Sequence, residues 1–173
     1  MTLYTPLDSD LCQIRRLVLQ PAVNFDDPLH SHLDVISLES SPDFEALSYV
    51  WGSTTPAKTI TLGDRLVTIG PNLDNALRNL RLLAAPRILW VDALCINQDD
   101  LDERASQVAL MRRVYSDAST VLIWLGPEAD GSEEAMRSVE RPNLWRFYFD
   151  PGLHVYGRSR SSSWLSTALW MEE

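Results

Sequence analysis

Lysine is almost missing from this 173-residue chain: Lys58 is the only one, and arginine carries nearly all the positive charge. Acidic residues outnumber basic ones by 24 to 15, which gives a net charge of −9 and a pI near 4.7. Proteins that bind nucleic acid contact its phosphates with clustered Lys and Arg. We therefore expect no nucleic-acid partner.

Cysteine, histidine and long apolar runs are also scarce. Two cysteines, Cys12 and Cys95, are too few for a disulfide framework, and the 3 histidines show no metal-site spacing. No apolar segment follows Met1, and none approaches the ~18 residues that a membrane span needs. These absences predict a reduced, cytoplasmic domain with no metal and no membrane partner.

Apolar residues at strand spacing alternate with apolar residues at helix spacing along the first 126 residues. Strand–helix–strand–helix–strand in the middle of the chain predicts right-handed crossovers and a parallel sheet. We expect an α/β fold with a mostly parallel central sheet, flanking helices, N-terminal strands and a β-hairpin insertion turning at Gly63-Asp64. The predicted strands are residues 14–19, 33–38, 44–50, 58–62, 65–69, 88–91 and 121–125.

Two helices are predicted between these strands. The first opens at Pro71-Asn72, and the second begins at Asp100, because Asp100 and Glu103 have the spacing of an acidic capping box. The apolar stripe of the first helix is Leu73, Ala76, Leu77, Leu80 and Leu83. The predicted buried face of the second is Leu101, Ala105, Val108, Met111 and Tyr115, widened by Leu110 and Val114.

The end of the chain differs in composition from the rest. Residues 141–173 carry three of the 6 tryptophans and a net charge of +1, against −10 for residues 1–140. No strand or helix period runs through Asp150 to Arg160. We therefore expect a domain over residues 1–140 and an atypical or truncated segment over 141–173. The C-terminal part of the fold would be incomplete, with the sheet edge at 121–125 uncovered.

Three sequence blocks resemble the signature of the fungal heterokaryon-incompatibility (HET) domain. They are FEALSYVWG at residues 44–52, LWVDALCINQDDLDER at residues 89–104, and residues 107–126. Tyr4 to Leu7 lies ahead of the first block and Asn72-Leu73 lies ahead of the second, so the resemblance covers roughly residues 4–126. It implies an effector or interaction module of fungal non-self recognition and programmed cell death. Its partners would be other HET or death-signalling proteins, with homotypic assembly.

HET domains are remotely similar to Toll/interleukin receptor (TIR) domains, whose flavodoxin-like parallel-sheet fold cleaves NAD in some members. The resemblance thus implies an alternative function, a NAD glycohydrolase with NAD as substrate and no cofactor. A second alternative is an inactive, truncated family member. Glycoside cleavage needs a carboxylate beside the scissile bond. The candidates are Glu103 and Glu173, and the simpler role for Glu103 is helix capping, so we expect no catalysis from this chain.

Eight residues follow or end two predicted parallel strands and are candidates for a ligand pocket. Open parallel sheets bind ligands at the carboxyl ends of their strands. Amides and carboxylates there could hydrogen-bond a ribose or nicotinamide, with a tryptophan stacked beside it. The structural alternative has Asp92 and Asn97 bonded to loop backbone, Trp51 in the core and Cys95 as a buried thiol. The candidates are Ser48, Tyr49, Trp51, Gly52, Asp92, Cys95, Asn97 and Gln98.

Overall fold

The structure, a computed structural model, describes residues 3–127 and 153–156, and its strands form one mixed sheet. The strands are β1 (Gln13–Leu19), β2 (His30–Ser37), β3 (Glu45–Tyr49), β4 (Lys58–Leu62), β5 (Arg65–Ile69), β6 (Arg87–Trp90), β7 (Thr120–Trp124) and β8 (Leu153–Tyr156). Their order across the sheet is β5-β4-β2-β1-β6-β3-β7-β8. Every predicted strand is present, and the predicted α/β class is confirmed.

Parallel pairing is concentrated at one end of the sheet. Strands β6, β3, β7 and β8 run parallel to one another, whereas β1 is antiparallel to both of its neighbours. Strands β4 and β5 form the predicted hairpin, and β4 runs parallel to β2. A parallel crossover needs about a dozen residues or more, so the short β1–β2 and β4–β5 connections allow only antiparallel neighbours.

Strand β8 lies beside β7 where the sequence showed no regular period. Val121 is opposite Leu153, and Trp124 is opposite Tyr156. The expectation that β7 would form an uncovered edge is therefore wrong. A strand of four residues is too short for its alternation to be recognised against the surrounding sequence. The rest of the predicted 141–173 segment lies outside the described residues.

The helices are α1 (Pro71–Leu80), α2 (Asp92–Cys95) and α3 (Leu101–Asp117), with a 3-10 turn at Leu38–Ser40. Helix α1 begins as predicted and buries Leu73, Ala76, Leu77 and Leu80. It ends before Leu83, which is 71% exposed, because Arg81 takes an extended backbone conformation. The short helix α2 was not predicted. None of the helices described has the length and apolarity that crossing a membrane requires.

Helix α3 buries part of the predicted face, since Val114 is buried and Leu110, Met111 and Tyr115 pack partly buried against the core. Gln107 and Val114 are its buried residues, whereas Leu101 and Val108 are exposed. The Gln107 amide donates a hydrogen bond from Nε2 to the carbonyl oxygen of Gln13 at 2.9 Å. Apolar periodicity treats a glutamine as solvent-facing, so the prediction was wrong where a partnered polar side chain occupies the interface.

A buried ion pair joins α3 to the sheet. The Arg15 side chain in β1 is 1% exposed, and its guanidinium donates to the two carboxylate oxygens of Glu103 at 2.6 and 2.8 Å. It also donates to the carbonyl oxygens of Thr5 and Cys95. Glu103 accepts a further bond from the Asn97 backbone N–H at 2.7 Å. Burial favours a raised pKa for Glu103, but the bonds from Arg15 and Asn97 outweigh it and lower that pKa.

The capping box predicted for α3 is half right. Asp100 caps the helix, since its Oδ1 accepts hydrogen bonds from the backbone N–H groups of Asp102 and Glu103. The Glu103 side chain does not return to the backbone of Asp100 but binds Arg15 instead. A buried guanidinium without a counter-ion would be strongly destabilising, so Arg15 takes the nearby carboxylate.

The two apolar strands at the parallel end supply core tryptophans. Trp90 of β6 is fully buried and meets the Tyr115 ring of α3 edge to face, with 5.7 Å between centroids. Trp124 of β7 is 3% exposed. The prediction that both tryptophans belong to the core is confirmed.

We predict that Glu103→Gln lowers the free energy of unfolding by about 3 kcal/mol, because it leaves the buried Arg15 charge without its counter-ion. Urea unfolding at neutral pH measures the loss. Asp102→Asn is the matched control, since Asp102 is the exposed neighbour on the same turn. Equal losses in the two variants would mean that the ion pair contributes nothing specific.

The same pair predicts a pH dependence of stability. The pKa of Glu103 is lowered in the folded chain, so its stabilising contribution is present above the ordinary glutamate range. That contribution is lost as the pH falls through the folded-state pKa. The difference in unfolding free energy between wild type and Glu103→Gln should therefore shrink on acidification, and a difference that grows would contradict this assignment.

Candidate functional site

The carboxyl ends of β3, β6 and β7 lie at one edge of the sheet because these strands run parallel. We call the residues that follow them, 50–52, 92–98 and 125–126, the carboxyl edge. Seven of the ten sequence candidates for catalysis or ligand binding follow or end β3 and β6 here, and Ser48 is one residue inside β3. Glu103 lies in α3, and Glu173 lies outside the described residues.

Trp51 and Asp92 are joined directly across the carboxyl edge. The Trp51 indole donates from Nε1 to Asp92 Oδ2 at 2.9 Å, and Asp92 Oδ1 accepts the Ala93 backbone N–H at 2.7 Å. Trp51 is 51% exposed, so the alternative that it fills the core is wrong. The next residue, Gly52, has φ +64°, a left-handed conformation that favours glycine and turns the chain after the tryptophan.

The Asp92 carboxyl has a perturbed pKa. Burial raises its pKa, and the hydrogen bonds from Trp51 and Ala93 only partly oppose this. Burial also raises the pKa of Tyr49 and of Tyr115, and the Asp92 charge adds to both shifts. The Asp92 carboxyl therefore lies near two partly buried phenols, of which the Tyr115 hydroxyl already donates to the Leu47 carbonyl oxygen.

Asn97 and Gln98 serve the loop that follows α2. Gln98 donates from Nε2 to the Asp92 carbonyl oxygen at 3.0 Å, which closes the loop on itself. Asn97 accepts the Asp99 backbone N–H on its side chain and donates its own N–H to Glu103. Asp92 and Asn97 thus satisfy loop backbone groups, as the structural alternative expected, while Asp92 also holds Trp51.

The side chains of Cys95 and Glu103 already accept hydrogen bonds within the fold. Cys95 is fully buried, its Sγ accepts the Val91 N–H at 3.3 Å, and burial raises the pKa of the thiol to about 12. A buried, protonated thiol is a poor nucleophile. Glu103 already accepts three hydrogen bonds, two of them from the Arg15 guanidinium. Asp92 is therefore the candidate carboxyl group at the edge itself.

Asn72 in the first turn of α1 is a site residue that the sequence analysis did not select. Its Nδ2 donates to the Val50 carbonyl oxygen, and its Oδ1 accepts from Trp124 Nε1 at 2.9 Å. One amide thus ties α1 to the loop after β3 and to β7. The available signal was its place in the Asn72-Leu73 pair of the family resemblance, which carries no information on contacts.

The described part of the chain brings together no three His, Cys, Asp or Glu side chains that could share a metal ion. At the carboxyl edge, Asp92 can accept hydrogen bonds, Tyr49 is partly buried beside it, and Trp51 presents a ring. This combination defines the class: an α/β domain whose polar and aromatic groups are gathered at the carboxyl ends of parallel strands.

Comparison with known proteins then assigns the family. Residues 44–166 match the family described as heterokaryon incompatibility protein (HET). Over 139 residues the chain is 38% identical to heterokaryon incompatibility protein 6, OR allele, of Neurospora crassa, which covers 73% of this chain and 20% of that protein. The chain belongs to the HET family, and it spans about a fifth of the length of this curated relative.

The matched range extends past residue 140, the predicted end of the domain. No solved structure matches the chain. The likeness to TIR domains therefore stays a prediction.

We predict that Asn72→Ala loosens the carboxyl edge and lowers the free energy of unfolding by about 2 kcal/mol, since it leaves the Trp124 donor buried without a partner. The assigned indole N–H resonances of Trp51 and Trp124 should both shift in NMR spectra. Asn79→Ala is the control, because the Asn79 amide donates to Asn75 within α1 and, among the described residues, to nothing at the carboxyl edge. Unchanged Trp51 and Trp124 resonances in Asn72→Ala would contradict a bracing role.

Proposed function

We propose that this chain is a cytoplasmic effector module of fungal heterokaryon incompatibility, and that its carboxyl edge is the surface for homotypic assembly in programmed cell death. The family assignment supports a role in incompatibility. The observation that carries the proposed surface is Trp51, an exposed ring whose indole N–H is held by Asp92.

A fixed, exposed aromatic ring is well suited to binding a protein partner. Tryptophan is enriched among the residues that dominate interface energies. Its hydrogen bond to Asp92 orders the ring before binding, so less conformational freedom is lost when a partner docks.

Two further apolar residues extend this surface. Val50 is 72% exposed and Leu125 is 64% exposed. They follow Tyr49 and Trp124, which are opposite each other in the β3–β7 register, so the two lie on neighbouring chain segments. Contiguous exposed apolar patches are typical of interaction sites.

Net charge predicts how assembly responds to salt. Two copies that each carry −9 repel at low ionic strength, and salt screens that repulsion. Homotypic assembly should therefore strengthen with added salt, whereas binding to a basic partner from another death-signalling protein should weaken.

We predict that Trp51→Ala weakens self-association about 30-fold, the loss expected when an interface aromatic that contributes about 2 kcal/mol is removed. Sedimentation velocity over a concentration series measures the association, and growth arrest on expression in a filamentous fungus reports the cellular effect. Leu66→Ala is the control, because Leu66 is 75% exposed but lies in β5 at the other end of the sheet. A monomeric wild type, together with undiminished growth arrest by Trp51→Ala, would reject the proposal.

A second candidate function is hydrolysis of the nicotinamide glycosidic bond of NAD, favoured by the Asp92 carboxyl beside the Trp51 ring. Water would replace nicotinamide on the ribose, with the carboxylate stabilising the positive charge that develops on the sugar. Nicotinamide release by the purified chain tests this.

For this second candidate, Asp92→Asn should abolish release, and Asp99→Asn, at an exposed position in the same loop, should retain it. A folded wild-type chain that releases no nicotinamide would remove catalysis from consideration. If that chain also fails to self-associate or arrest growth, the inactive, truncated family member becomes the better description.

A further inference from the structure

A cavity of about 340 Å³ lies outside the carboxyl edge, where the β1–β2 loop meets the start of β4 and the first two turns of α1. The side chains that give it its chemistry are Phe25, Asp26, Lys58, Asp74, Asn75 and Arg78. The proposed assembly surface uses none of them. The volume is in the lower range of small-molecule sites.

Asp74 gives this cavity an unfilled hydrogen-bonding position. The residue is only 6% exposed, and its Oδ2 accepts from Arg78 Nε at 2.9 Å. Its Oδ1 is also buried, yet it has no hydrogen-bond partner within the part of the chain that the structure describes. Burying a carboxylate oxygen without a donor is unfavourable, so a ligand N–H that reaches Oδ1 would satisfy an atom that the described part of the chain leaves unpaired.

The loop wall of the cavity is held rigidly by two arginines of the α1 segment. Arg81 is 8% exposed and donates to the carbonyl oxygens of residues 24, 25, 27 and 28, and Arg78 donates to those of 25 and 27. Asn24 and Asp27 close the loop further through side-chain bonds. Phe25 and Asp26 are therefore presented by a fixed backbone, which limits the ordering cost of binding.

The charges around the cavity are balanced and of both signs. The carboxylates are Asp26 and Asp74, and the cations are Lys58, the only lysine in the chain, and Arg78, which is already paired with Asp74 Oδ2. Phe25 is 43% exposed and supplies an apolar wall beside them. A ligand with a single charge would be repelled by the cavity residues of the same sign. A ligand with both charges can pair each of them with a residue of the opposite sign.

We propose that this cavity binds a small zwitterion of the amino-acid class, with the ammonium group at Asp74, the carboxylate at Lys58 and the side chain against Phe25. The site is independent of Trp51 and Asp92. Binding would link the β1–β2 loop to α1, the helix that also braces the carboxyl edge through Asn72.

Titration of the ¹⁵N-labelled full chain with L-leucine, followed by NMR, tests this proposal. L-leucine should shift the backbone resonances of Lys58 and Asn75 in a saturable way. Its two half-ligands, 3-methylbutylamine and 4-methylpentanoate, should each bind at least tenfold more weakly, because each satisfies one charge and leaves the other repelled. Saturable binding of either half-ligand as tight as that of L-leucine would overturn the proposal, as would no saturable shift.

Two variants locate the ligand. Lys58→Met and Asp74→Asn should each weaken L-leucine binding at least tenfold, and Asp102→Asn on α3 should leave it unchanged. Lys58 is exposed, so Lys58→Met keeps the fold even if Asp74→Asn is destabilised. Wild-type affinity in Lys58→Met would overturn the assignment. Trp51→Ala should bind L-leucine normally, so this result is separate from the fate of the assembly proposal.

Discussion

The buried pairing of Arg15 with Glu103 is the interaction on which the arrangement of the parallel end depends. One guanidinium, in the middle of β1, contacts the first turn of α3, the last residue of α2 and the N-terminal segment. Because a buried charge must be paired, this contact sets which face of α3 turns to the sheet. Glu103 therefore has a structural role. Its carboxylate also accepts the Asn97 backbone N–H and so holds the loop after α2.

The carboxyl edge is braced from several directions by single polar contacts. Asn72 holds Val50 and Trp124 from α1, Gln98 closes the loop that begins at Asp92, and the Tyr115 hydroxyl donates to the Leu47 carbonyl oxygen from α3 at 3.3 Å. Each contact satisfies a polar group near the core and also places a segment at the surface. The result is a rigid edge from which an aromatic ring projects, and such preorganisation suits recognition.

Helix α1 connects the two surfaces to which we assign binding. Asn72, in its first turn, donates to the Val50 carbonyl oxygen at the carboxyl edge. Asp74, two residues later, lines the cavity beside the β1–β2 loop. A ligand that orders the cavity would act on the same helix that positions the Val50 segment. The match covers 20% of the curated relative, so in a longer HET protein the proposed assembly surface and the proposed ligand site would belong to one part of a larger chain.

Local sequence determined the order and kind of nearly every element. Apolar alternation, the Gly63-Asp64 turn and the Asp100 cap act over a few residues, so they are readable without the fold. Polar residues that lie in the core or at its border were misjudged, because a distant partner decides whether burial is tolerated. Glu103 bonds to Arg15, 88 positions away, and Gln107 to Gln13, 94 positions away.

In the candidate site, too, some features follow from local sequence and others from tertiary packing. The sequence placed Trp51 and Asp92 at the ends of two strands, because strand ends are local features. That the two would bond across 41 positions, and that Asn72 would bond to both Val50 and Trp124, depended on strands β6, β3 and β7 lying side by side. Sequence thus determined which groups were available at the edge, and only tertiary packing decided which were exposed and which were already bonded.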